Sequence, residues 1–169
     1  MTLTLVSTVG TPDANSYVTL DEANAYASTL VFPGLWATAS DEQKKAALIQ
    51  AARLMNSLGW KGQRFDRYQA LAWPRCDGYS HRGTAEGYVY DQDGFAIGWS
   101  DIPAAVKSAQ AEFAIRLIEK DRATDSKPGM QIGSINTPDK PRKLVPSSVF
   151  DLLTGLLASM PGCIKAVRG

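Results

Sequence analysis

Arg64, Arg67 and Arg75 interleave with Phe65, Tyr68 and Trp73 in one short stretch. Cations alternating with rings resemble, in outline, a surface for single-stranded nucleic acid, where guanidinium groups follow phosphates and ring faces receive unpaired bases. A plainer reading puts the rings in the core and lays the arginines over them as surface caps. Other chemistry finds little material. His81 is the only histidine, so any Ser-His or Cys-His pair would have to use it. It lies in the polar segment SHRG, whereas a general base must be held rigidly. Cys76 and His81 could begin a metal site, but no second pair of soft ligands follows. The segment Asp91-Gln92-Asp93-Gly94 starts like a calcium loop and lacks the later ligands and the closing glutamate. No glycine-rich phosphate loop is present. The residues therefore predict no catalytic centre, no metal and no cofactor.

The elements that must position this stretch are mostly helical. Ser40 followed by Gln43 fits a capping box, and Asp41 and Glu42 suit the positive end of a helix. Ala47, Leu48, Ala51, Leu54, Met55 and Leu58 then recur on one face, with Gln50, Arg53, Asn56 and Ser57 opposite and Gly59 as the expected stop. Trp60, Phe65, Leu71 and Trp73 follow as an aromatic cluster, and Pro74 biases Trp73 to an extended conformation. Upstream, Leu3 and Leu5 suggest a short strand or extended arm. Thr19 and Glu22 form a second capping box for a helix carrying Ala23, Tyr26, Ala27 and Leu30, closed by Phe32-Pro33-Gly34.

Downstream of Arg75, residues 76–100 read as a long glycine-rich loop, and a loop of that length in a compact domain usually has a job, often binding. Asp93-Gly94 between Tyr88-Val89-Tyr90 and Phe95-Ala96-Ile97 predicts a hairpin. Tyr79, Tyr88, Tyr90, Phe95 and Trp99 are more rings than a solvated loop needs. Pro103 should sit in the first turn of the longest helix, lined by Val106, Phe113, Ala114, Leu117 and Ile118, with Ile115 widening the apolar arc and Glu112 pairing with Arg116 on the other side. So wide an arc implies contacts on two sides, and Gln110 beside it reads as an interface or inter-helix hydrogen-bond former. Residues 126–146 are proline-rich and carry Lys140, Arg142 and Lys143, which suits an extended arm with one strand near Met130 to Ile135. A final helix from Pro146 to Ser148 onward shows the cleanest stripe, Val149, Leu152, Leu153, Leu156, Leu157 and Met160, stopped by Pro161-Gly162.

Size and charge set the frame. With 169 residues the chain suits one domain with extensions. The predicted fold is mainly α: a small bundle of about four helices with a hairpin-bearing loop at 76–100 in residues 1–123, then an arm and an amphipathic helix in 124–169. Lys plus Arg number 18 against 17 Asp plus Glu, so no global field draws in polyanions. No apolar run spans a bilayer and the first residues lack a leader pattern, so a soluble, unexported protein without membrane contact is expected. Cys76 and Cys163 are expected to be reduced.

The words PDANSYVTLDEANAYA, DEQKKAALIQAARLMNSLGWKGQR, QALAWPR and IPAAVKSAQAEFAIRLI, over roughly residues 12 to 120, resemble the head-tail connector adaptors of tailed phages, a sequence type also labelled DnaT-like single-strand DNA-binding proteins. The resemblance implies a structural virion protein, made in the host cytoplasm and not an enzyme. It would form a ring, typically of twelve subunits, below the portal, joining capsid to tail and lining the DNA channel. Partners implied are the portal protein, neighbouring subunits, a tail-side stopper or tail-completion protein, and the passing genomic DNA. On that reading Leu144, Val149, Leu152, Leu153, Leu156, Leu157 and Met160 would dock on portal or neighbour, and Tyr79, Tyr88, Tyr90, Phe95 and Trp99 on the next ring. The alternative label makes Arg64, Arg67 and Arg75 the candidate DNA contacts.

Overall fold

The computed structural model describes residues 3–80, 85–125 and 145–158, with backbone alone for 120–125. Both capping boxes form. Thr19 starts α1, Leu20–Ser28, and Ser40 starts α2, Asp41–Met55, each with reciprocal bonds to its third helical residue, Glu22 and Gln43. A 3-10 turn, Gly34–Thr38, joins them and buries Trp36, whose indole donates to Asn24 at 3.0 Å. Helix α2 ends at Met55 rather than at Gly59: beyond it the chain tightens into i to i+3 bonds, Ser57 N–H to Leu54 and Leu58 N–H to Met55, and the Trp60 indole N–H also donates to the Met55 carbonyl at 3.0 Å. No strand forms before α1 among the described residues; Asn15 holds that segment through Val6 and Thr4.

Helix α3, Ala104–Asp125, is the central element. Pro103 lies one residue before it, its carbonyl accepting from Val106 and Lys107. Residues 109 to 115 are all buried in succession, and a helix buried all round must be covered on every side. Helices α1 and α2, the 3-10 turn and α4, Ser147–Leu152, supply that cover within the one chain. The alanine faces Ala23/Ala27, Ala47/Ala51/Ala52 and Ala109/Ala114 let these backbones approach closely. Gln110, fully buried, ties three segments: it accepts from Tyr17 N–H at 2.8 Å and donates to Ser16 Oγ and the Leu48 carbonyl, each at 2.9 Å. Glu112 lies on the buried side rather than opposite it. Its carboxylate receives Arg116 at 3.1 Å and Ser148 at 3.2 Å, and the Tyr26 hydroxyl at 3.5 Å.

The remaining regular structure is three two-stranded antiparallel pairs: β1 Gln63–Arg64 with β2 Arg75–Cys76, β3 Gly78–Tyr79 with β4 Ala85–Glu86, and β5 Val89–Tyr90 with β6 Ala96–Ile97. The last pair is the expected hairpin; Asp91 Oδ1 accepts from Asp93 and Phe95, and Gly94 takes φ +86°. Gly62, at φ +66°, lets β1 approach β2, since a Cβ there would strike the Cys76 carbonyl.

The C-terminal stripe departs most from expectation. Helix α4 has six residues, and Gly155 at φ +85° turns the chain so that Leu157 bridges Trp60. Val149, Leu153, Leu156 and Leu157 enter the same core as α2 and α3, with Leu152 half-buried against it. The stripe that should have been a docking face is therefore covered by its own chain. Leu144, Met160, His81, Cys163, the Lys140 to Lys143 cluster and the segment from Met130 to Ile135 lie outside the described residues.

Candidate nucleic-acid interface

The loop from Arg64 to Arg75 is braced from beneath. Gln69 is 2% exposed; its carbonyl oxygen accepts from Asp66 N–H at 2.9 Å, and its amide donates to Leu71 and Pro74 carbonyls at 2.8 and 3.0 Å. Asn56 Oδ1 receives Ala72 N–H at 2.7 Å and the Tyr17 hydroxyl at 3.1 Å. Trp73, joined to Pro74 by a cis peptide bond, is buried edge-on to Trp60 with centroids 5.9 Å apart. The loop's inner half is thus core, and only its outer half, Arg64 to Tyr68, faces out.

That division separates the three arginines. Arg75 is 9% exposed and donates to the carbonyls of Lys61 at 2.6 Å, Ala72 at 3.0 Å and Gly62. Burial, then the neighbouring Arg64 charge, pulls its pKa below the usual value. It fixes the loop and is spent as a DNA contact, which corrects the sequence expectation. Arg64 and Arg67 are exposed. Arg64 makes one long bond, 3.4 Å, to the Gln69 carbonyl. Arg67 lies over the Tyr68 ring.

The rings divide in the same way. Phe65, expected in the core, is 36% exposed, because it stacks on Trp99 (6.1 Å, 24° between planes) and Trp99 in turn stacks on Tyr88 (5.2 Å, 19°). The half-buried Trp99 is anchored by its indole N–H to Gly87 at 2.7 Å. The Tyr79 hydroxyl donates to the Arg64 and Phe65 carbonyls, tying the glycine-rich loop to the arginine loop. Burial raises the Tyr79 pKa, with Cys76 and Asp66 adding to it. Cys76 is buried beneath, and burial raises its thiol pKa above the usual value.

Phe65, Asp66, Arg67, Tyr68 and Tyr79 enclose an open groove of about 540 Å³. Of the five loop rings, Tyr79, Tyr88 and Trp99 therefore cluster with this groove and its stack, whereas Tyr90 and Phe95 sit exposed on the hairpin. The cluster includes Phe65 and Tyr68 but not the buried Trp73. The sequence reading gave Asp66 no role and took Gln69 only as the first residue of QALAWPR; a turn-forming Asp three residues ahead of that amide was the available signal. Among the described residues no group of three His, Cys, Asp or Glu could hold a metal, and no helix is long and apolar enough to cross a membrane.

A family model described as "Putative DnaT-like ssDNA binding protein" matches residues 1–169. No curated protein and no solved structure matches the chain.

Proposed function

The chain belongs to this DnaT-like family, and from that premise we propose that it binds single-stranded DNA on the groove formed by Phe65, Arg67, Tyr68 and Tyr79. The observation that carries the reading is Tyr68, 67% exposed beside the Arg67 cation on a loop held rigid by Gln69. An exposed ring on a rigid base offers a stacking face with little ordering cost, and a cation beside it meets the phosphate that follows the stacked base. The stack of Phe65, Trp99 and Tyr88 extends the aromatic surface from one side of the groove. A single strand is favoured over a duplex because paired bases keep their faces covered. The test is titration of a fluorescent oligonucleotide as single strand and as duplex. Tighter binding of the single strand supports the proposal, and equal or absent binding refutes it.

A second reading, the ring-forming adaptor between portal and tail, draws support from Val31 and Phe32, each 86% exposed, and from Phe95 at 71% on the hairpin. Contiguous or prominent apolar groups of this kind suit surfaces covered by other chains. The portal, neighbouring subunits and a tail-side stopper would be the partners, in the virion. The buried α4 stripe weakens this reading, since it offers no docking face. Detection of the protein at portal stoichiometry in purified particles would support it, and absence from particles would end it.

A further inference from the structure

The Trp99 indole stacks on both Phe65 and Tyr88, with ring centroids 6.1 and 5.2 Å away and planes inclined by 24° and 19°, the offset geometry that aromatic pairs prefer. Phe65 also lines the groove. A continuous aromatic path therefore leads from the groove wall through Trp99 to Tyr88. Those two steps put Tyr88 within about three to four nucleotides of Phe65, at about 3.4 Å per stacked nucleotide.

Tyr88 is held as a stacking platform must be. On one side of it in the chain Val89 is buried and pairs with Ile97 across the hairpin; on the other, the Gly87 carbonyl accepts the Trp99 indole N–H at 2.7 Å. Trp99 covers one face of the Tyr88 ring, so the 44% exposure of Tyr88 leaves its rim and its opposite face for a partner. Phe65 is pinned as well: its N–H donates to the Pro74 carbonyl at 3.1 Å and its carbonyl accepts from the Tyr79 hydroxyl at 3.0 Å. Both ends of the path are thus fixed before any ligand arrives, which keeps the ordering cost of binding low.

Resting on the single-strand reading above, we propose that Tyr88 is a second base-stacking platform in addition to Tyr68, so that the protein takes a run of unpaired bases rather than one lone base. A strand seated on one platform presents its next bases to the other at high effective concentration, and the second contact then multiplies affinity.

The experiment titrates the full chain with oligo-dT of about twelve nucleotides and with the same backbone carrying one base and abasic sites elsewhere. The phosphates are then equal and only the bases differ. Native protein should bind oligo-dT about fivefold or more tightly than the single-base strand, from one further stacked base. Tyr88→Ala should remove that advantage, whereas the single-base strand, which can still use Tyr68, should weaken by no more than about twofold. Tyr88→Phe, which keeps the ring face, should restore the native values, and melting curves check that each variant is folded. Three results would overturn the inference: no advantage of oligo-dT in the native protein, oligo-dT binding unchanged by Tyr88→Ala, or equal weakening of both strands, which would make Tyr88 a prop for Trp99. Each leaves the single-strand reading standing where Tyr68→Ala still weakens oligo-dT. Failure of the native protein to bind oligo-dT would bring down that reading and this inference together.

Discussion

The Arg67 guanidinium carbon stands 4.8 Å from the centroid of the Tyr68 ring, over its face. The cation and the most exposed ring of the groove therefore form one unit. Such a contact at an exposed site contributes about 0.5–1 kcal/mol and holds both side chains in one arrangement. Asp66 and Gln69 fix the backbone below them.

Tyr68→Ala should weaken binding of a single strand by about 5- to 150-fold, the loss of about 1–3 kcal/mol of stacking per base. The thermal midpoint should stay unchanged, since an exposed surface substitution alters stability by about 0.5 kcal/mol or less. Titration beside a melting curve checks both, and a large drop in stability with intact binding would contradict the assignment.

Arg75→Ala should act in the opposite way. It leaves the carbonyls of Lys61, Gly62 and Ala72 short of donors in a buried corner. Each unsatisfied group costs about 1–3 kcal/mol, and each kcal/mol lowers the midpoint by about 2–4 °C in a chain of this size. A variant that melts normally and loses salt-dependent binding would show Arg75 to be a DNA contact after all.

Leu153→Asp should unfold the protein. Leu153 is fully buried in the core shared with α2 and α3, and an unpaired charge there exceeds about 4 kcal/mol in cost. Loss of the cooperative transition checks this. A stably folded variant would mean that the stripe is not core.

Tyr17 gives a pH prediction with a definite sign. Burial pushes its pKa up to about 12 from 10.0, so the folded state holds the phenolic proton more tightly than the unfolded chain. The stability it contributes is complete below about pH 10 and is lost as pH rises toward 12, by about 3 kcal/mol in all. The stability advantage of the native protein over Tyr17→Phe should therefore shrink between those pH values. Denaturant titrations at pH 9 and 11.5 measure it, and a constant or growing difference would contradict the burial.

Local signals were readable in the sequence because they involve neighbours in the chain. Ser40 with Gln43, Thr19 with Glu22, and Asp93-Gly94 each specify their own geometry. Gln110 was legible as a hydrogen-bond former because an amide beside an apolar arc needs partners, which Tyr17, Ser16 and Leu48 provide. The end of α2 was not legible, because the chain tightens there into i to i+3 bonds and Trp60 reaches back to Met55. Nor was the fate of the last stripe. Periodicity shows that Val149, Leu153 and Leu156 share an apolar character but not which surface covers them, and Gly155 breaks the helix before the pattern does.

The groove was half legible. Arg64, Arg67 and Tyr68 were singled out as cation and ring, and they are exposed together. Arg75 and Trp73 belonged to the same pattern and went inside, because Gln69 and Asn56 fold the loop's second half into the core. Phe65 and Trp99 lie far apart in the chain, and their stacking depends on where β1 and the hairpin come to rest.

Single-strand binding at this groove is tested most directly by where a bound strand touches the protein. Ultraviolet crosslinking of a single-stranded oligonucleotide to the full chain, with the attached peptide identified by mass spectrometry, should place the crosslink at Phe65, Tyr68 or Tyr79. Crosslinks confined to other segments, or none at oligonucleotide concentrations that saturate binding, would contradict it.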